Sequence, residues 1–165
     1  MVAKLLSLDQ IDPAEAWQPW RPTAADPWGR KWAAHLYRRA AFGPNRDELQ
    51  EAERLGVGGT LDLLLRGKPR AEELRQTLTD VGRLAADRDD GGGAQLRGWW
   101  LYCMLHSGHP LREKMTLFWH NHFATSIVKV RSPLLMFRQN CLLREHALGK
   151  FGPFLQAMSK DGAMH

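Results

Sequence analysis

Apolar side chains recur along the chain at three- and four-residue spacing, the period of an amphipathic helix. Trp32, His35, Leu36 and Arg39 share one face of a helix predicted over residues 27–41. Asp12-Pro13 and Asp26-Pro27 each set a capping carboxylate before a proline, which needs no donor at a first helical position. Phe42-Gly43-Pro44 stops the first long helix. A charged helix from Asn45 to Leu55 ends at Gly56, and LDLLLR then forms a short buried helix stopped by Gly67 and Pro69. Residues 70–88 read as a polar helix, and 96–105 as a core helix rich in Trp, Tyr, Cys and Met. A turn at His106–Pro110 precedes a helix over 110–124. The β-branched stretch 125–131 reads as an extended connector. A helix from Pro133 to Leu148 is apolar almost all round and is expected to be central. FGPFLQAM opens a last helix. The fold class is therefore all-α, an irregular multi-helix bundle.

Four segments follow from this pattern. Residues 1–30 form an arm in which Trp17, Trp20 and Trp28 pack onto the body. Residues 31–86 form a helical subdomain, 87–95 a Gly/Asp-rich linker (DRDDGGG), and 96–165 the core helices. The tail, ending AMH, shows no closing apolar turn. This suggests a chain truncated at its C-terminus, the incomplete N-terminal portion of a larger helical protein.

Composition is that of an ordinary globular chain: 165 residues, 44% hydrophobic and 25% charged. No apolar run approaches the ~18 residues of a membrane span. The first twelve residues lack a secretory pattern, so the default location is cytoplasmic. Charge changes the picture more. Residues 1–95 carry 14 basic and 15 acidic side chains, whereas residues 96–165 carry 9 and 3, a net +6. Six of the seven histidines also lie in that second part. A basic half of this kind faces an acidic partner or a polyanion. Without a Lys/Arg run, nucleic acid is the lesser reading.

Three strings, AAHLYRRAAFGPNRDEL, PLREKMTLFWHNHFATSIVKV and FRQNCLLREHALGKFGPFLQAMSKD, together resemble the bacterial family catalogued as domain of unknown function 1800. The resemblance covers residues 32–161. It implies no established activity. It also implies longer, often exported relatives, frequently encoded beside another uncharacterised family numbered 1501, with an acidic amphipathic segment further along. In the string from Ser159 to His165, Gly162 stands where the family usually has proline and His165 where it usually has leucine.

Candidate chemistry centres on histidines. Trp119-His120-Asn121-His122-Phe123 is not the strand-strand-helix metal motif of HNH nucleases, which draws its ligands from separated positions. At about 100° per residue, His122 falls with Leu111, Met115 and Phe118 in an apolar stripe, and His120 falls opposite. His122 is thus expected inside, as a core histidine, general base or ligand, and His120 outside. Cys103, His106, His109, His120 and His122 have the residue types of a zinc site but lack a paired Cys-x2-Cys, so the metal candidates are His106, His109, His120 and His122. In the helix 133–148, Arg138 and Glu145 share one side and need partners if buried; Glu113 and His122 are available, which would make a polar pocket of His122, Arg138, Glu145 and Glu113. Cys141 reads as packing. Phosphate loops and nucleophile elbows are absent, so nothing in the sequence supports a nucleotide cofactor, and no particular cofactor is predicted. The leading expectation is a structural or interaction module whose partner is the absent C-terminal portion or another protein, with self-association through exposed apolar surface. The alternatives are a metal-assisted hydrolase using His122 and a polyanion-binding basic half.

Overall fold

A computed structural model describes residues 12–88 and 93–165. The expectations for the N-terminal apolar run and for the middle of DRDDGGG lie outside these residues. The elements are α1 (Pro13–Ala16), α2 (Arg30–Ala40), α3 (Arg46–Arg66), α4 (Ala71–Asp87), α5 (Ala94–His106), α6 (Pro110–Phe123), α7 (Ile127–Val130), α8 (Pro133–His146) and α9 (Phe151–Met158). No strand occurs among the described residues, and the fold is all-α.

Local chemistry accounts for most boundaries. The Asn45 side chain accepts from the Glu48 N–H while the Glu48 carboxylate accepts from the Asn45 N–H, a reciprocal capping box that starts α3. Gly56, at φ 70°, kinks α3 where the sequence predicts a break. Ser132 caps α8 through the Leu135 N–H. Two boundaries differ from expectation. The first long helix begins at Arg30, because the Asp26 carboxylate accepts from the Trp32 indole at 2.8 Å instead of capping a helix at Pro27. The stretch 125–131 is not extended throughout: Ser126 caps the short helix α7 by accepting from the Val128 N–H.

The core among the described residues is three clusters. Ala33 and Tyr37 of α2 meet Ala52 and Leu64 of α3, with Leu111 of α6 against them. Leu78 and Ala86 of α4 meet Trp99 and Cys103 of α5 and Phe137 of α8. Leu143 of α8 meets Phe154 and Met158 of α9, with Trp119 and Phe123 of α6 alongside. Helix α8 enters two clusters and is central, as its all-round apolar pattern predicts. The approach of α4 to α5 and α8 depends on Gly82. A Cβ there would lie 2.4 Å from the Trp99 ring and 2.6 Å from Phe137. The Trp99 indole in turn donates to the Leu78 carbonyl at 2.6 Å.

The arm packs in part. Trp20 lies against Trp28 and Trp32, with ring centroids 6.3 and 4.6 Å away, and Trp28 donates to the Ala52 carbonyl, whereas Trp17 is exposed. The tail is held more firmly than its sequence suggests. Gln139 of α8 is buried; its amide donates to the Asp161 carboxylate at 2.8 Å, and its carbonyl oxygen accepts from the Thr125 hydroxyl. Asp161 also accepts from the Ala163 N–H, and Ala163 is buried.

Candidate functional site

Helix α6 is folded inside out. Its buried residues are Glu113 and Thr116, with His120 half-buried on the same side. These three lie within about 60° of one another at 100° per residue. The apolar stripe opposite them is half-buried at Leu111 and Met115 and exposed at Phe118 and His122. The expectation for the two histidines is therefore reversed: His122 is at the surface and His120 faces inward, edge-on to Trp100 at 5.0 Å. The physical reason is the charge at Glu113. A carboxylate can be buried only beside a cation, and α8 supplies one.

That cation is Arg144. Its Nε and Nη2 donate to the two carboxylate oxygens of Glu113 at 2.7 and 3.0 Å, a fork-to-fork pair in which both residues are buried. The guanidinium also lies 5.1 Å from the Trp99 ring centroid. Arg138 and Glu145, expected to be the charges needing partners on this helix, are both exposed. A helix apolar on every side gives no periodicity from which to choose its buried face.

Above the pair opens a cleft of about 850 Å³ between the end of α3, α4, the start of α6 and α8, lined by Glu72, Arg75, His109, Arg112, Arg144 and Glu145 among others. Glu72 accepts from Arg75 at 2.7 Å and lies 3.6 Å from Arg112; these contacts hold its carboxyl below the ordinary range. His109 is buried at the N-terminus of α6, where its Nδ1 accepts from the Arg112 N–H at 3.4 Å. Its ring occupies the space a Cβ would fill at Gly67, whose φ of 84° also suits glycine. Burial, and then the Arg112 charge, lowers the His109 pKa, so the imidazole is neutral near pH 7.

Of the sequence-derived pocket, Glu145 lines this cleft and Glu113 lies beneath it, while His122 and Arg138 stand apart. The histidine and arginine that are present, His109 and Arg144, take the places expected for those two. Among the described residues no group of three or more His, Cys, Asp or Glu side chains is gathered to hold a metal ion. His106, His109, His120 and His122 are not brought together: His106 stacks on Tyr102, His109 caps α6, His120 meets Trp100, and His122 lies on Phe118. Cys103 is pushed up to about 12 by burial and Cys141 is raised for the same reason, so neither is a thiolate at neutral pH.

A second feature lies on the outer side of α6. Trp119 of α6 stacks on Phe151 of α9 with centroids 5.8 Å apart, and Phe118 and His122 lie against Trp119, their own centroids 6.4 Å apart. Phe118 is 53% and Phe151 49% exposed, and Leu148 and Leu155 are exposed as well. No carboxylate occurs in α9, and the single one in α6 is the buried Glu113.

These features define an all-α bundle with a buried ion pair, a polar cleft above it and an aromatic outer face. A family model described as "Protein of unknown function (DUF1800)" matches residues 35–165, and the chain belongs to that family. No curated protein and no solved structure matches it. No helix among the described residues is long and apolar enough to cross a membrane.

Proposed function

We propose that this chain is a helical interaction module whose docking face is the aromatic strip of α6 and α9. The observation that supports this reading is the inversion of α6. The helix turns Glu113 and Thr116 to the core and leaves Phe118 in solvent, and Phe151 and Leu155 of α9 are exposed as well. Keeping that stripe outside is costly: burying one such side chain stabilises by roughly 1.5–3 kcal/mol. A partner that covers it recovers this energy, and exposed aromatics of this kind are the usual anchors of interfaces.

The occupant that fits is an acidic amphipathic helix of a protein partner. The strip has no exposed carboxylate on its own two helices, Lys114 and Lys150 flank it in the sequence, and residues 96–165 carry a net +6. An apolar face laid on Phe118 and Phe151, with acidic residues along its edges, satisfies both features. His122 then serves as part of the docking face. Its ring lies against Phe118, Trp119 and Phe123, an aromatic setting that suits a docking face.

The test uses the full chain. It should bind a hydrophobic dye, and a designed acidic amphipathic helix should displace the dye with micromolar affinity that weakens as salt is raised. Phe118→Ser with Phe151→Ser should abolish both signals without lowering the melting midpoint. Dye and peptide binding unchanged in that double variant would overturn the assignment. Equal binding of a basic helix of the same hydrophobicity would overturn the choice of partner. Concentration-dependent dimerisation through the same residues would assign the face to a second copy.

A further inference from the structure

The cleft above the Glu113–Arg144 pair gathers one arginine from each of four helices: Arg66 of α3, Arg75 of α4, Arg112 of α6 and Arg144 of α8. They are engaged unequally. Arg66 lies 3.6 Å from Asp62, one turn back on its own helix, with both side chains exposed. Arg144 gives Nε and Nη2 to Glu113. Its third nitrogen, Nη1, is neither bonded to a described residue nor closed off from solvent. Arg75 and Arg112 converge on Glu72. Arg75 donates to one oxygen at 2.7 Å, while Arg112 Nη1 stands 3.6 Å from the other, beyond hydrogen-bond length. The Arg112 side chain is 26% exposed and that of Glu72 67%. The cation is enclosed, and the carboxylate that meets it reaches in from solvent.

A guanidinium with its N–H groups unspent is the donor set that a planar carboxylate takes in bidentate fashion. Glu72 fills that place only in part. An exposed ion pair contributes little, so an incoming carboxylate can exchange with Glu72 while its side chain swings into water. The rest of the lining sets the charge and body of the guest. His109, Thr79 and Cys141 add no charge: His109 is neutral and caps α6, the Thr79 hydroxyl donates to the Arg75 carbonyl, and the Cys141 thiol is protonated. Arg144 is already neutralised by Glu113, and Glu145 on the rim repels a second negative charge, so the balance favours a monoanion over a dianion. Leu65 and Leu148 supply apolar wall, and a volume of about 850 Å³ leaves room for a body behind the charged head. None of Phe118, Phe151 and Leu155 lines this cleft.

We propose that the cleft binds a small monocarboxylate with an apolar body, whose head takes the place of the Glu72 side chain on Arg75 and Arg112. The body lies toward Leu65 and Leu148. Glu72 is then a resident competitor that holds the two arginines until a ligand arrives.

The probe is hexanoate, with hexanamide as its uncharged analogue and inorganic phosphate, at matched ionic strength, as the dianion. In nitrogen-edited NMR spectra of the full chain, millimolar hexanoate should move the amide resonances of Glu72, Arg75 and Arg112. Hexanamide and phosphate should each bind at least roughly tenfold more weakly, the worth of one charge-assisted pair. Arg112→Gln should weaken hexanoate by roughly the same factor. Glu72→Gln, which frees the arginines, should tighten it several-fold. Glu145→Gln removes the same charge from the rim without vacating the arginines, and should tighten it less. Phe118→Ser with Phe151→Ser should leave it unchanged, which separates this cleft from the aromatic strip. Should Arg112→Gln fail to fold, the order of the three probes and the two glutamate variants still decide the matter. Equal binding of hexanoate and hexanamide, or tighter binding of phosphate, would overturn the choice of ligand. Weaker hexanoate binding in Glu72→Gln, or equal gains in the two glutamate variants, would overturn the exchange.

Discussion

Glu113 and Arg144, 31 residues apart, face each other across α6 and α8 with both carboxylate oxygens and two guanidinium nitrogens engaged. Glu113 is 2% and Arg144 7% exposed. The pair explains why α6 points its polar side inward. Removing one partner strands the other charge in the core, so Arg144→Met alone should cost about 3–5 kcal/mol. The double variant Glu113→Leu with Arg144→Met should recover most of that loss, since an apolar pair carries no stranded charge. Denaturant melts of the two single variants and the double would read the coupling directly.

The two histidines of the WHNHF string provide a second contrast. His120 is half-buried against Trp100 and His122 is exposed on Phe118. His120→Ala should lower stability by about 1 kcal/mol or more, and His122→Ala should stay within about 0.5 kcal/mol of the unaltered chain. A helical wheel predicts the reverse. The wheel is geometrically sound: His120 and His122 do lie on opposite sides of α6. What it lacks is the sign, because it assumes that the apolar stripe is the buried one.

That failure shows how far the sequence could be read. Helix starts and stops were legible at several local devices, as at Asn45, Gly56 and Ser132, but not at Asp26, Ser126 or His109. The centrality of α8 followed from its all-round apolar pattern. What was not legible is any choice that depends on a distant partner. Glu113 could be recognised as a candidate for a buried pair, but Arg144 carries no local mark that separates it from Arg138 on the same helix. The anchoring of the tail was hidden for the same reason: Gln139 and Asp161 are 22 residues apart and neither is unusual in its own setting. His109 did carry a signal, standing directly before Pro110 at a helix start. A histidine there can cap the helix through its Nδ1 acceptor, as an Asp or Ser oxygen does.

The close contact at Gly82 predicts a sharp difference between two glycines in helices. Gly82→Ala places a methyl 2.4 Å from Trp99 and 2.6 Å from Phe137, so α4 must move away or the rings must shift. Overpacking of this kind costs about 1–3 kcal/mol. At Gly98 on α5 nothing lies within 4 Å of the added carbon. Gly98→Ala should therefore stabilise by up to about 1 kcal/mol through helix propensity alone. Thermal melts of the two variants side by side would show opposite shifts of the midpoint.

Acid should destabilise the fold through the inward-facing histidines before its carboxylates are protonated. Burial lowers the pKa of His109, with Arg112 acting in the same direction and the Leu65 backbone and Glu113 opposing. Burial alone lowers that of His120. In the unfolded chain both imidazoles titrate near 6.5. Over the interval between that value and the depressed folded values, the unfolded state binds more protons than the folded state. Stability therefore rises with pH through this interval, and is lost as pH falls below about 6.5. At His109 protonation has a further structural effect: a proton on Nδ1 removes the acceptor that caps α6 through the Arg112 N–H. His109→Asn retains a capping acceptor without the titration, so it should flatten the slope of melting midpoint against pH between about 7 and 5.5. His120→Gln should flatten it independently, and the two together should nearly remove it. A slope that survives in the double variant would place the acid sensitivity elsewhere, and a slope of opposite sign would mean that the folded protein holds these imidazoles as cations.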